Sequence, residues 1–397
     1  MRRILLATAL ALLPGLALAD PLDLSRQIGA QGLATTGAGL AAVASPAADQ
    51  QFALAGIRFL GAVERALQLR WQVGLEADWT ELPVLRLPIP ANPEAREIRG
   101  ADITALLGGI IADMEGARQA LPAEGADFAL EIDLADLWFD INASGGRDAG
   151  EDLVTVAGLA LGFGGSWQPK PGELVIRFDS ADAAWLEAYT HLLAGLATTI
   201  QAYDPGPATD RIVNASKEIY ALWGESQPDN AWDMLFGKQV DRLTILLRAM
   251  EQKPDPALAK AAHDHFLKMI SANRRFWPLV LAESDNDREW VPNEAQVSAL
   301  GIALPEGTVA HWQAVLTEAE QVLNGALLIP HWRYGAEAGI NLKKLFDDAP
   351  AIDLIGMIQG EALLPYAEKG PLMSGQAWSE FERMMQGDAL MIAVFFN

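Results

Sequence analysis

Residues 51–75, Q-F-A-L-A-G-I-R-F-L-G-A-V-E-R-A-L-Q-L-R-W-Q-V-G-L, decide the fold class. Phe52, Ile57, Leu60, Val63, Leu67 and Trp71 recur mostly at threes and fours, which puts them on one stripe of a helix and leaves polar residues outside it. Residues 103–121 repeat the pattern. Between the two, Pro83, Pro88, Pro90 and Pro93 remove backbone donors and push their neighbours out of helical geometry, so residues 82–93 read as an extended connector.

Further along the period changes. Phe128, Leu130, Ile132 and Leu134 alternate with Ala129, Glu131 and Asp133, the pattern of a half-buried strand, and Leu174 to Phe178 reads as a second one. An isolated strand pair is marginal in water, so the two are expected to pair as a small hairpin-like element packed on helices. Asp179 or Ser180 is placed to cap a long helix running to about Tyr203. The breakers Tyr203-Asp204-Pro205-Gly206-Pro207 and Lys253-Pro254-Asp255-Pro256 punctuate the rest. Helices are predicted over residues 210–223, 230–252, 256–282, 293–300, 308–324 and 374–386, with Asn293 and Gln296 spaced as a capping box and Gly325 at a helix end. The fold class is therefore mainly α, a multi-helix domain with a minor β element. The division expected is 1–19, 20–204 and 205–397, with one continuous domain over the last two as the alternative.

Residues 1–19 have the organisation of an export signal: Arg2 and Arg3, an apolar run from Ile4 to Leu18, and Ala17-Leu18-Ala19 as a small-x-small cleavage site. A mature chain of about 378 residues would begin at Asp20, ample for a well-buried core. Loss of two arginines takes its formal charge from −23 to −25. Such an acidic chain is a poor partner for nucleic acid or anionic lipid, which are bound through Lys and Arg. No run is long enough to insert stably in a bilayer, and the absence of cysteine leaves no disulfide framework. The expectation is a soluble periplasmic or secreted protein.

The stretch lying between the two predicted strands carries the most chemistry. In Asp140-Ile-Asn-Ala-Ser-Gly-Gly-Arg-Asp-Ala-Gly-Glu151, oxygen donors fall at positions 1, 3, 5, 9 and 12 and glycine at position 6. Calcium takes six to eight oxygens, and a twelve-residue loop can surround it only where the backbone turns sharply at position 6, as Gly145 permits. These residues resemble the EF-hand loop, over residues 140–151 alone. The resemblance implies a Ca2+ site with Asp140, Asn142, Ser144, Asp148 and Glu151 giving side-chain oxygens and Gly146 its carbonyl, with an affinity on the order of 10⁻⁵ to 10⁻³ M. Arg147 stands where the family has an aliphatic residue that pairs with a second loop, and the chain has no second such loop. What is implied is a lone structural clamp.

Other constellations are weaker. Asp285-Asn286-Asp287-Arg288-Glu289 is acidic but has no position 6 glycine. His263 and His265 lie about 200° apart around a helix and cannot meet at one ion, while His191, His311 and His331 form no metal signature. No nucleophile elbow or phosphate loop occurs; Leu161-Gly162-Phe163-Gly164-Gly165 lacks the lysine that phosphate binding needs. Trp138, Trp167, Trp290 and Trp332 fall in or beside predicted loops, and Ile329-Pro330-His331-Trp332-Arg333-Tyr334 is the best candidate ligand-facing segment. The sequence thus points to an exported calcium-binding protein with a non-enzymatic binding or envelope-associated role. An exported hydrolase using carboxylates and a helical receptor with a tryptophan-lined groove are the alternatives.

Overall fold

The computed structural model describes residues 20–75, 87–158, 172–222, 231–386 and 389–396. The expected signal segment 1–19, residues 82–86 of the connector, the glycine-rich stretch 161–165 and Trp167 lie outside these residues. Among the described residues the chain is mainly helical, with one two-stranded and one three-stranded antiparallel sheet.

Helices α1 (Asp23–Ala41), α2 (Ala48–Gln72) and α3 (Gly100–Ala120) come first. On α2, Phe52, Ile57 and Leu67 face the core as their spacing requires. α1 is bent at Gly32, whose φ of 76° is a conformation that glycine adopts without strain. The Trp138 ring fills the space that a Cβ at this position would need, 2.9 Å away.

The two predicted strands are present as β1 (Leu130–Asp133) and β2 (Val175–Phe178), paired antiparallel with Leu130 opposite Phe178 and Asp133 opposite Val175. Phe128 and Phe178 at this small sheet stack on Phe52 of α2, with ring centroids 5.1 and 5.4 Å away. A 3₁₀ turn (Leu134–Asp136) follows β1, so the sequence before the loop forms no α-helix. The short α4 (Leu153–Ala157) follows the loop.

Asp179 caps α5 (Ser180–Ala202) by accepting the Ala181 N–H at 2.8 Å. α6 (Gly206–Ala221) and α7 (Ala231–Met250) follow the first breaker, and α8 (Pro256–Ala282) begins at the second, where Asp255 accepts the amides of Ala257 and Leu258. Helices α5 and α8 pack along one another, and α3 lies against α5. Their buried residues join those of α1 and α2 and the C-terminal segment, so the main core draws on residues from Ile28 to Phe396.

The region expected as a helix over 293–300 is a turn. The Asn293 amide does donate to Gln296 Oε1 at 2.7 Å, but Ser298 then collects the amides of Leu300 and Ile302 and the chain folds back through a Val297–Ala303 bridge. A side chain that satisfies one terminal donor does not by itself propagate a helix.

After α9 (Thr308–Leu323) come the strands β3 (Ile329–Pro330), β4 (Ala338–Ile340) and β5 (Ala367–Lys369), with α10 (Leu342–Asp347), α11 (Leu354–Gln359) and a 3₁₀ turn between the last two strands. The chain closes with α12 (Gln376–Met384) and α13 (Ala389–Phe396). Side chains from α5 and α8 cap the terminal carbonyls of α13: Trp185 reaches Phe395 O at 3.0 Å, Asn273 reaches Phe396 O at 2.7 Å and Tyr189 reaches Val394 O at 2.6 Å. Among the described residues no helix is long and apolar enough to cross a membrane.

Candidate functional site

The segment 140–151 hangs from a neck of extended chain. Trp138 bridges Asp152, the Phe139 amide donates to Glu151 O at 2.9 Å and the Leu153 amide to Leu137 O at 2.9 Å. An EF-hand would place helices on both sides; here extended backbone enters and only the short α4 leaves. Asp152 caps α4 by accepting the Thr155 amide at 2.8 Å.

Inside the loop, polar side chains organise the backbone. Asp140 Oδ2 accepts the Gly145 amide at 3.0 Å and Asn142 Oδ1 accepts the Ser144 amide at 2.9 Å, the local turn chemistry expected of Asp and Asn. Gly145 has φ of 79° at the position where the sequence required a sharp turn, and Ala143 also takes a positive φ of 57°. Asp148 Oδ2 accepts from Asn142 Nδ2 at 2.8 Å and from the Ser144 hydroxyl at 3.0 Å, so the donors at positions 3, 5 and 9 are in mutual contact. Those two hydrogen bonds hold the exposed Asp148 carboxyl below the usual range. The Gly146 carbonyl, expected to face an ion, lies 3.1 Å from the same Ser144 hydroxyl, whose one proton it shares with Asp148.

Glu151 occupies a different place from the one its spacing implied. It is fully buried, with Oε1 accepting the amides of Ile141 at 2.9 Å and Asn142 at 3.2 Å, and Oε2 accepting the Asp148 amide at 2.8 Å. Both oxygens therefore tie the loop to itself. Arg147 reaches back to Ala135 O at 3.1 Å, anchoring the position that an EF-hand uses for pairing.

Helix α2 grips the loop from outside. Glu64 Oε2 accepts the Asp140 amide at 2.9 Å while Gln68, one turn on, donates to Asp140 O at 2.8 Å. Burial, and then the neighbouring charges of Asp140 and Glu151, push the Glu64 carboxyl above its ordinary value. The remaining oxygen of Asp140, Oδ1, is buried and has no hydrogen-bond donor. Among the described residues, no group of three or more His, Asp or Glu side chains stands together as a metal centre would require.

Comparison of the chain with protein-family models, with curated proteins and with solved structures finds no match.

The second acidic run surrounds a cation already supplied by the protein. Arg177 of β2 lies 4.0 Å from Asp285, 3.8 Å from Asp287 and 3.9 Å from Asp179. Behind it, burial raises the carboxyls of Asp182 and Glu289 and pushes Glu283 up to about 7, with Asp179 adding to the effect on Asp182 and Glu283.

Three histidines are bound to carbonyl oxygens: His263 to Leu323, His311 to Gly307 and His331 to Met357. His191 and His265 instead meet each other, Nδ1 to Nδ1 at 2.9 Å, across α5 and α8. Separated by 74 residues, they left no local signal in the sequence. Trp138 is buried and donates to Gly29 O at 3.1 Å, and Trp290 packs against Trp185 and Phe395. Trp332, by contrast, is 75% exposed beneath the Arg333 guanidinium, with its N–H on Ile358 O at 3.1 Å.

Proposed function

We propose that the protein is exported through residues 1–19 and acts in the periplasm or outside the cell as a non-enzymatic binding protein, with one structural Ca2+ held by residues 140–151. The observation that carries this reading is Asp140 Oδ1, a buried carboxylate oxygen at the first donor position with no proton donor to satisfy it. An unpaired buried acceptor is costly, and a hard cation satisfies it. Asn142, Ser144 and Asp148 bring further side-chain oxygens into the same loop, where Asp148 accepts from the Asn142 amide nitrogen and the Ser144 hydroxyl, and Gly146 supplies a carbonyl.

Glu151 enters this reading chiefly through the amides of Ile141, Asn142 and Asp148, which it draws together at the base of the loop. Glu64 supports the reading in a second way: the charges of Asp140 and Glu151 both act against its own, and a divalent cation offsets that repulsion. The ion would supply cross-linking of the loop to the fold by mass action, with no part in bond making. Calorimetric titration of Ca2+ into the metal-free protein, repeated with Asp140→Ala, tests the reading. Saturable binding that the substitution abolishes supports it; no heat in the wild type removes it.

A further inference from the structure

Away from the loop, α3, α5 and α8 border an open cleft of about 530 Å³ lined by Glu115, Arg118, Glu187, His191, His265 and Lys268, among others. Its charges are unequally satisfied. Arg118 donates through Nη2 to Glu115 at 2.7 Å, and Arg275 through Nη2 to Glu187 at 2.5 Å, so each carboxylate already has its cation. Lys268 has no ion pair among the described residues. The Arg118 side chain is only 12% exposed, and its Nη1 is buried without an acceptor. A guanidinium nitrogen in that position is a charged donor waiting for an oxygen, since leaving it unmet forfeits its hydration for nothing in return.

The histidine pair adds complementary groups. Burial, followed by the neighbouring Arg118, His265 and Lys268, lowers His191 to about 3, and burial with Arg118 and Lys268 also lowers His265. Glu115 and Asp264 act in the opposite direction on His265 and do not prevail. Both rings are therefore neutral at pH 7. With one Nδ1 donating to the other at 2.9 Å, the accepting ring must carry its proton on Nε2 and the donating ring must keep Nε2 as an acceptor. Neither Nε2 has a protein partner among the described residues. The cleft thus gathers a guanidinium with one N–H unmet, an ammonium and an imidazole N–H on a chain whose formal charge is −23.

We propose that this cleft is a binding site for a small oxyanion, a phosphate or carboxylate group carried on a soluble ligand. Lys268 supplies the uncompensated charge and Arg118 a charged N–H donor. The His191–His265 pair supplies one further donor and one acceptor suited to a ligand hydroxyl.

The test follows the histidine C2–H proton signals of the whole protein in EDTA at pH 7 while inorganic phosphate, and separately acetate, is added. Wild type, Arg118→Gln and Lys268→Gln are compared, with melting temperatures confirming that all three fold. The expected result is saturable movement of two of the five histidine signals with one or both probes, phosphate alone marking a phosphate site and acetate alone a carboxylate site. Affinity should fall about tenfold or more in Arg118→Gln, as befits loss of a hydrogen bond to a charged group. No saturable movement with either probe, or equal affinity in wild type and Arg118→Gln, overturns the proposal. Because calcium is absent throughout, the outcome does not depend on the loop at 140–151.

Discussion

Glu64 holds the backbone of Asp140: its Oε2 accepts the Asp140 amide at 2.9 Å, joining the middle of a long helix to the first residue of the loop. The contact places two acidic residues together; burial, and then the charges of Asp140 and Glu151, raise the proton affinity of Glu64 although this hydrogen bond works the other way. Substitution by Gln keeps an acceptor and removes the charge; substitution by Ala removes both. Glu64→Ala should cost about 1–3 kcal/mol through the stranded amide. Glu64→Gln should be as stable as wild type or more so in metal-free buffer at pH 8. Urea denaturation of the two variants at that pH measures the difference.

Glu151 should be the most sensitive residue of the loop whether or not an ion is present. Its carboxylate satisfies three amides from a fully buried position, so Glu151→Ala strands all three and leaves a cavity. The expected loss is about 3 kcal/mol or more. Denaturation in EDTA isolates this effect from metal binding, and a change below 1 kcal/mol would mean that the loop has its own support.

At Gly32 the backbone and the packing both exclude a side chain. With φ at 76° and Trp138 2.9 Å from the built Cβ, Gly32→Ala should destabilise by about 1–3 kcal/mol. The same bend brings the Gly29 carbonyl to the Trp138 indole, so the variant should also alter Trp fluorescence. Thermal melts followed by fluorescence check both effects.

The carboxyls behind Arg177 make stability depend on pH. Glu283 has a folded value of about 7, raised by burial and then by Asp179, above the ordinary value of 4.5. Below pH 4.5 both states hold the proton; as pH rises toward 7 the unfolded chain releases it first, so this group makes the fold progressively less stable, and above 7 the loss is complete. Glu283→Gln should remove that dependence and raise stability at pH 8 by about 1 kcal/mol, allowing for partial exposure to solvent. Denaturation midpoints of both proteins at pH 4.5 and 8 provide the comparison.

Strong punctuation made the long helices legible. Pro256 after Asp255 fixed the start of α8, and the alternation around Leu130 and Ile132 located a strand whose partner was also readable at Ile176. At Asn293 the local signal misled because its capping contact formed while Ser298 and Gly301 turned the chain back. Strands of two or three residues such as β3 and β4 are too short to show any period. In the loop, donor spacing identified the residues that now touch one another, Asn142, Ser144 and Asp148. It could not reveal that Glu151 faces amides, or that Glu64 and Gln68 come from a distant helix to hold Asp140. The histidine cleft was invisible for the same reason, since three helices far apart in sequence build it.

A structural Ca2+ at residues 140–151 makes the melting temperature of the metal-free mature protein respond to calcium, measured with and without 10 mM CaCl2. With a dissociation constant of about 10⁻⁴ M, calcium should add roughly 2.7 kcal/mol of stability and raise the melting temperature by several degrees, an increment absent from Asp140→Ala. An unchanged melting temperature in the wild type, or an equal rise in the variant, would mean that residues 140–151 hold no structural Ca2+.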